Sequence, residues 1–227
     1  MKDMPQDTAA HARVKQNQRA LTTTSYAILG LLSVKPWSAY ELTGQMKRGM
    51  RFTWPRAETR IYQEPKHLVA QGLARARVEH NGLRPRTVYS ITPKGRAALR
   101  RWLEMPSAPP QVECEAMVRA TFAETGTTQD LLRTVRELRE QALGSYLEIA
   151  DQAEDYLATG GPFPERLPII VFVGKFILEY LAFLERYAGW AEAQLETWPA
   201  HGTVLAAPVA WDVLHDAVSD ARARRAG

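Results

Sequence analysis

The chain has 227 residues, 45% of them apolar and 24% charged, ordinary proportions for a globular protein with room for one large core or two small ones. Its one cysteine, Cys114, excludes an intrachain disulfide framework, and its polar N-terminus lacks the apolar stretch of a signal peptide, so a cytoplasmic protein is expected. The formal charge of +4 conceals a division: residues 1–104 hold 19 Lys/Arg against 7 Asp/Glu, whereas residues 105–227 hold 10 against 18. A half at +12 suits a polyanionic partner, and a half at −8 would turn that partner away from itself.

Residues 1–20 are polar, carry Lys2, Arg13, Lys15 and Arg19, and read as a flexible arm. Leu21 to Val34 is the first expected helix, with Tyr26, Ile28, Leu29 and Leu32 at helical spacing and Thr22, Thr23 or Thr24 as its cap. Lys35-Pro36 stops it, because the residue before a proline avoids helical backbone. Trp37 would cover the corner. Ser38 opens a second helix with Glu41 three residues on, the spacing of a capping box, and Tyr40, Leu42 and Met46 are expected to face inward.

A third helix is expected from about Arg56 to Gln71, closed by Gly72. Pro65 falls inside it, where proline costs on the order of 3 kcal/mol, so the helix either starts late, near Tyr62, or kinks at Glu64. Leu73 to Glu79 alternates as a strand, His80-Asn81-Gly82 signals a hairpin turn, and Arg86 to Ile91 returns. On that returning strand Val88 and Ile91 are off-register unless a bulge or the strand end intervenes. Thr92-Pro93 starts a fourth helix carrying Ala97, Leu99, Trp102 and Leu103, and the run from Met105 to Pro110 breaks it.

Beyond the break, Val112 to Glu124 reads as a short helix. Thr127 caps a long helix reaching about Ala158, ended by Gly160-Gly161-Pro162, and a second long helix runs from Pro164 or Leu167 to Trp198. Lys175 and Glu179 interrupt the apolar run from Leu167 to Leu184, which argues against a membrane span. Phe176, Tyr180, Phe183, Tyr187 and Trp190 recur at spacings of 4, 3, 4 and 3, an aromatic seam of coiled-coil period. Leu131, Val135, Leu138, Ala142, Ser145 and Ile149 form a weaker seam on the preceding helix. In the tail from Ala200, Trp211, Leu214 and Val218 keep helical spacing, which leaves a short helix or a loose segment open.

Three helices followed by a two-stranded hairpin make a winged helix, the helix-turn-helix variant whose third helix enters the major groove. On that helix Thr59, Arg60, Gln63 and Lys66 share one face, while Ile61, Leu68 and Val69 turn to the core. Arg or Lys pairs with guanine, Gln with adenine, and Thr serves base or phosphate. Arg84 and Arg86 flank Pro85 at the hairpin tip, a donor pair for phosphates or the minor groove. Any one of these residues alone is an ordinary surface group; the ordered set carries the reading.

The segments LTTTSYAILGLL, YELTGQM, RIYQEPKHLVAQGL and RTVYSITPKGRAAL together resemble the N-terminal domain of PadR-family transcriptional regulators. The resemblance covers about residues 21–104, and the long helices beyond follow the family's layout more loosely. It implies a winged helix that binds operator DNA as a homodimer, C-terminal helices that exchange contacts between protomers, and, for many members, repression relieved by a small effector. It also implies a DNA-contact or phosphate-positioning role for Tyr62 and wing support from Tyr89. Family members often place proline directly after the helix tyrosine; here it follows three residues later, as Pro65.

The expected fold class is mainly α with a small β-hairpin wing. Its parts would be an arm (1–20), a winged-helix DNA-binding domain (21–105), a linker (106–111), a long-helix dimerisation and effector domain (112–199) and a tail (200–227). The aromatic seam is the expected dimer contact. Trp54, Trp102 and Phe172, with Phe176 and Trp190, are candidates for an effector pocket taking a small apolar or aromatic molecule, although packing accounts for them equally well. An enzyme is disfavoured, since the five histidines are scattered, no phosphate loop is present and no metal-ligand spacing occurs; no cofactor is expected. The alternative from another class is a winged helix kept for partner docking or effector binding without DNA reading.

Overall fold

Among the three candidate threonines, Thr22 starts the first helix. Its hydroxyl accepts from the Ser25 amide at 3.3 Å, and the Ser25 hydroxyl accepts from the Thr22 amide at 2.9 Å. These contacts come from a computed structural model that describes residues 20–55, 58–81, 84–199 and 204–226. The arm through residue 19, the hairpin turn at Gly82, and Arg56 at the expected start of the third helix lie outside the described residues. The chain divides into two compact units, Met1–Pro110 and Gln111–Gly227.

In the first unit, α1 (Thr23–Val34) buries Ile28, Leu29 and Leu32 on one side. Trp37 does more than cover a corner. With Ser38 it forms a two-residue strand, β1 (Trp37–Ser38), and its indole donates to the Leu31 carbonyl at 2.9 Å. Ser38 and Glu41 then make the expected capping box for α2 (Ala39–Met50), with the Ser38 amide donating to the Glu41 carboxylate at 2.7 Å. Leu42 and Met46 are buried as expected, but Tyr40 is 77% exposed. A residue two before Leu42 falls on the far side of a helix, and Thr43 takes the inward place instead.

The third helix, α3 (Glu58–Ala70), runs without a break through Pro65, so the late start near Tyr62 does not occur. Pro65 is fully buried between Ile61 and Leu68, and its ring fills core volume where a polar residue could not. Gly72 follows in the left-handed region at φ 70°, and the Leu73 amide donates to the Leu68 carbonyl at 2.9 Å.

Strands β2 (Ala74–Asn81) and β3 (Arg84–Ile91) pair antiparallel in unbroken register from Ala74↔Ile91 to Asn81↔Arg84, with no bulge. The expected two-stranded hairpin is therefore a three-stranded sheet in the order β1-β3-β2. This resolves the register question. Val88 and Ile91 point to opposite faces, yet both are buried, because the central strand is covered on both sides at this end. Thr92 caps α4 (Pro93–Leu103), whose Trp102 stacks on Tyr26 of α1 with centroids 4.8 Å apart and planes within 6°.

In the second unit, α5 (Glu115–Thr121) and a 3₁₀ turn precede α6 (Thr128–Thr159), capped by a Thr127–Asp130 box. Gly160, at φ 76°, ends α6, and α7 (Leu167–Glu196) packs against it. Leu132, Val135 and Leu138 meet Ala188, Ala191 and Leu195 in the core, with Cys114 and Met117 of the preceding segment against it. Arg136 and Arg139 of α6 both pair with Glu192 of α7, at 2.6 and 3.3 Å. The buried stripe of α7 (Ile177, Leu181, Ala188, Ala191, Leu195) lies one residue beyond the aromatic seam, not on it. Phe176 is 62% exposed, Phe183 and Trp190 are exposed, and Tyr180 and Tyr187 are half-buried. With the turn before it, this helix is long and apolar enough to cross a membrane; Lys175 and Glu179 form an exposed ion pair on it. The tail contributes α8 (Trp211–Ala226), exposed along its whole length, so the helical alternative holds there.

Candidate nucleic-acid interface

The outer face of α3 is polar because its inner face is not. Ile61, Glu64, Pro65 and Leu68 are buried on one side, and Thr59, Arg60, Tyr62, Gln63 and Lys66 are exposed on the other. All five helix residues singled out from the sequence thus share one accessible surface. They can offer guanidinium, ammonium, amide and hydroxyl groups to base edges and phosphates. Val69 is half-buried. The Lys47–Glu58 ion pair ties the end of α2 to the start of α3.

Glu64 holds this helix in place. Glu64 is 6% exposed, and its carboxylate accepts from the Ser25 hydroxyl of α1 at 2.5 Å. Beside it, Thr22, Thr24, Trp54, Arg60, Gln63 and His67 line a cleft of about 410 Å³, and the Trp54 indole donates to the Thr24 hydroxyl at 3.0 Å. A buried carboxylate that loses its donor keeps the cost of its desolvation, about 1–3 kcal/mol. Ser25→Ala is therefore expected to lower stability by that amount, read from urea denaturation. An unchanged midpoint would show that Glu64 needs no partner from α1.

At the wing, Arg86 does not stand free. It faces Glu79 across the β2–β3 ladder, with its guanidinium 3.4 Å from that carboxylate and 3.9 Å from the carboxylate of Glu41. Glu79 also accepts from Arg77 at 2.6 Å. The Arg77 hydrogen bond and charge, with Arg86 behind them, hold the Glu79 carboxyl below the usual carboxylate range. Glu41 is lowered first by the Ser38 amide, then by the Ser38 hydroxyl, with Arg86 adding a smaller electrostatic part. Arg84 pairs with Asn81 in the backbone register, and its side chain lies outside the described residues. Tyr89 is buried between Trp37 and Ala76 in the sheet, and burial pushes its hydroxyl pKa up.

The candidate pocket residues have separate surroundings. Trp54 lies in the cleft beside α3, Trp102 is stacked on Tyr26, and Phe172 is exposed on α7. Sequence reasoning passed over Glu64, Ser25 and Glu79. Only the last carried a readable signal, since a hairpin turn fixes Glu79 opposite Arg86.

Comparison with known proteins adds four findings. Residues 28–101 match the model of the transcriptional regulator PadR-like family. The chain is 30% identical over 175 residues to the negative transcriptional regulator PadR of Bacillus subtilis, covering 75% of this chain and 94% of that protein. Its fold is similar to that of Bacillus subtilis PadR in complex with operator DNA, with a TM-score of 0.59, 22% identity, and coverage of 74% of this chain and 99% of that one. It is likewise similar to the same protein in complex with p-coumaric acid, with a TM-score of 0.58, 21% identity, and coverage of 77% and 99%.

Proposed function

Because this chain belongs to the PadR-like family of transcriptional regulators, we propose that its first unit reads operator DNA and its second joins two chains into the homodimer that presents two readers. One observation carries the reading: an exposed polar face on α3, held by the buried Ile61, Glu64, Pro65 and Leu68 behind it. Thr59, Arg60, Gln63 and Lys66 take base edges, and Tyr62 takes base or backbone. Arg84 and Arg86 meet the flanking phosphates from the wing. On α7, Phe176, Tyr180, Phe183, Tyr187 and Trp190 meet the second copy, which would remove an exposed apolar stripe from water. A cytoplasmic regulator follows from this use of DNA.

The related negative regulator supports repression as the outcome of binding, and the p-coumaric acid complex supports release by a small aromatic effector. Trp54 and Trp102 on the first unit, and Phe172 on the second, are separate candidate aromatic contacts for such a molecule. None of this reading requires a cofactor.

A gel shift on the protein's own upstream region tests the DNA reading. Arg60→Ala is expected to relax specificity at one base pair, at about 1–3 kcal/mol or roughly 5- to 150-fold. Arg86→Ala is expected to weaken binding to all sequences alike and to reduce the salt dependence. Equal binding by wild type and both variants would instead favour a winged helix that docks a protein partner.

A further inference from the structure

Arg86 on the wing faces two carboxylates, one on the wing and one on α2, where an unopposed cationic surface would bind DNA more strongly. Glu79 stands opposite Arg86 in the β2–β3 register, and one of its oxygens lies 3.4 Å from that guanidinium. Its other oxygen accepts from Arg77 at 2.6 Å. Glu41 approaches Arg86 from α2: one oxygen takes the Ser38 amide at 2.7 Å, and the other lies 3.9 Å from the guanidinium. Two arginines and two carboxylates thus cancel in charge at the place where the basic half of the chain is expected to meet a polyanion.

These pairs do little for the fold. Both arginines are substantially solvent-exposed, at 45% for Arg86 and 80% for Arg77, and exposed ion pairs are worth little in water. Their stronger consequence is competitive. A guanidinium offers a planar fork of donors that fits carboxylate and phosphate alike, so whatever occupies Arg86 in the free protein must be displaced before a phosphate can bind.

We propose that Glu79 and Glu41 are built-in competitors for DNA phosphate, occupying Arg86 and Arg77 in the free protein and yielding them to the backbone of bound DNA. The proposal rests on the reading that the wing meets DNA. The carboxylates make no contact with bases, so they lower affinity for operator and for random duplex by the same factor. Sequence preference stays with α3. The result is a regulator that leaves DNA more easily than its arginine count implies.

The test is to measure binding of the full chain to operator and to random duplex over a range of salt, with Glu79→Gln and Glu41→Gln beside wild type. Glutamine keeps the side-chain length in both, and at position 41 it also preserves the capping box, so helix α2 keeps its start. Each substitution is expected to raise affinity for both duplexes about threefold, and the pair about tenfold, as befits exposed ion pairs. The slope of log affinity against log salt should steepen by up to about one, since a cation no longer returns to the displaced carboxylate. A thermal melt of each variant should match wild type, because little stability is at stake.

In an Arg86→Ala background the gain from Glu41→Gln should vanish, and that from Glu79→Gln should shrink to the share of Arg77. Gains that persist undiminished in that background would mean the carboxylates act only through net charge, which overturns the proposal. No gain and no change in slope, with operator preference intact, would overturn it too. Failure of wild type to prefer operator over random duplex would overturn the DNA-reading function itself, a different result.

Discussion

Gly95→Ala is expected to unfold the first unit at markedly lower temperature, although it adds a single methyl group. A Cβ at residue 95 would lie 2.1 Å from the Leu73 carbonyl oxygen and 2.9 Å from a side-chain carbon of Ile91. The oxygen belongs to backbone, so no rotamer change relieves the contact. The same carbonyl already accepts from the Thr92 amide and the Thr92 hydroxyl, each at 3.0 Å, and Thr92 in turn caps α4. Moving α4 away from β2 would loosen this junction at once, and overpacking without relief costs about 3 kcal/mol or more. For a unit of this size that corresponds to a fall in Tm of roughly 15 °C, followed by circular dichroism. Gly30→Ala and Gly44→Ala provide the contrast: nothing lies within 4 Å of either new Cβ, and both sit within helices. They should leave Tm unchanged or raise it slightly, as alanine is favoured over glycine there by about 0.5–1 kcal/mol. If Gly95→Ala melted with them, the close approach of α4 to β2 would be wrong.

Much of this unit was legible because its signals are local. Capping depends on side chains three residues apart, so Ser38 and Thr92, like Thr127 in the second unit, could be found as helix starts without knowing the fold, and Thr22 as one of three candidates. Helical spacing marked Ile61 and Leu68 as inward and thereby the polar face as outward. Tyr40 was misread against helical spacing itself, which puts it on the far side from Leu42; the other misreadings were tertiary. Strand β1 has two residues and no periodicity of its own, and it exists only because β3 offers it an edge. Missing it made Val88 and Ile91 look inconsistent, since one strand with both faces buried does not alternate. Pro65 looked disruptive for the same reason: helix propensity counts the lost hydrogen bond and cannot see the core that the ring fills.

The interface shows a related boundary. Residue type and position could nominate Arg86, but only the sheet register and the path of α2 bring Glu79 and Glu41 to it. An arginine read from sequence is a charge; its partners decide how much of that charge a ligand meets. Glu64 makes the converse point. It would have been counted among the solvated residues of α3, yet it is buried and bonded to Ser25, thirty-nine residues away in the chain.

Phe183→Glu is expected to turn the proposed dimer into a monomer and, with that, to abolish tight operator binding. The aromatic seam of α7 keeps a coiled-coil period but lies one residue away from the stripe that packs on α6. Phe176, Phe183 and Trp190 therefore remain exposed after the unit has completed its own core, and Phe183 and Tyr187 continue as neighbours with ring centroids 6.2 Å apart. Tyr180 is a poorer probe than its neighbour, since it is half-buried in its own unit and burial raises its hydroxyl pKa. Phe183 is free of that confusion. Burying one such ring is worth about 1.5–3 kcal/mol, and a two-fold interface contains it twice. A glutamate there loses this and adds the cost of desolvating a charge in each copy, so the dimer dissociation constant should rise by three orders of magnitude or more. A lone protomer engages one half-site without the effective concentration that a second reader supplies, and operator affinity should fall by about 100-fold or more. Sedimentation and gel shift on the same preparation read both effects, with circular dichroism to establish that the helices remain. A folded Phe183→Glu protein that still sedimented as a dimer and bound operator would move the interface off this face of α7.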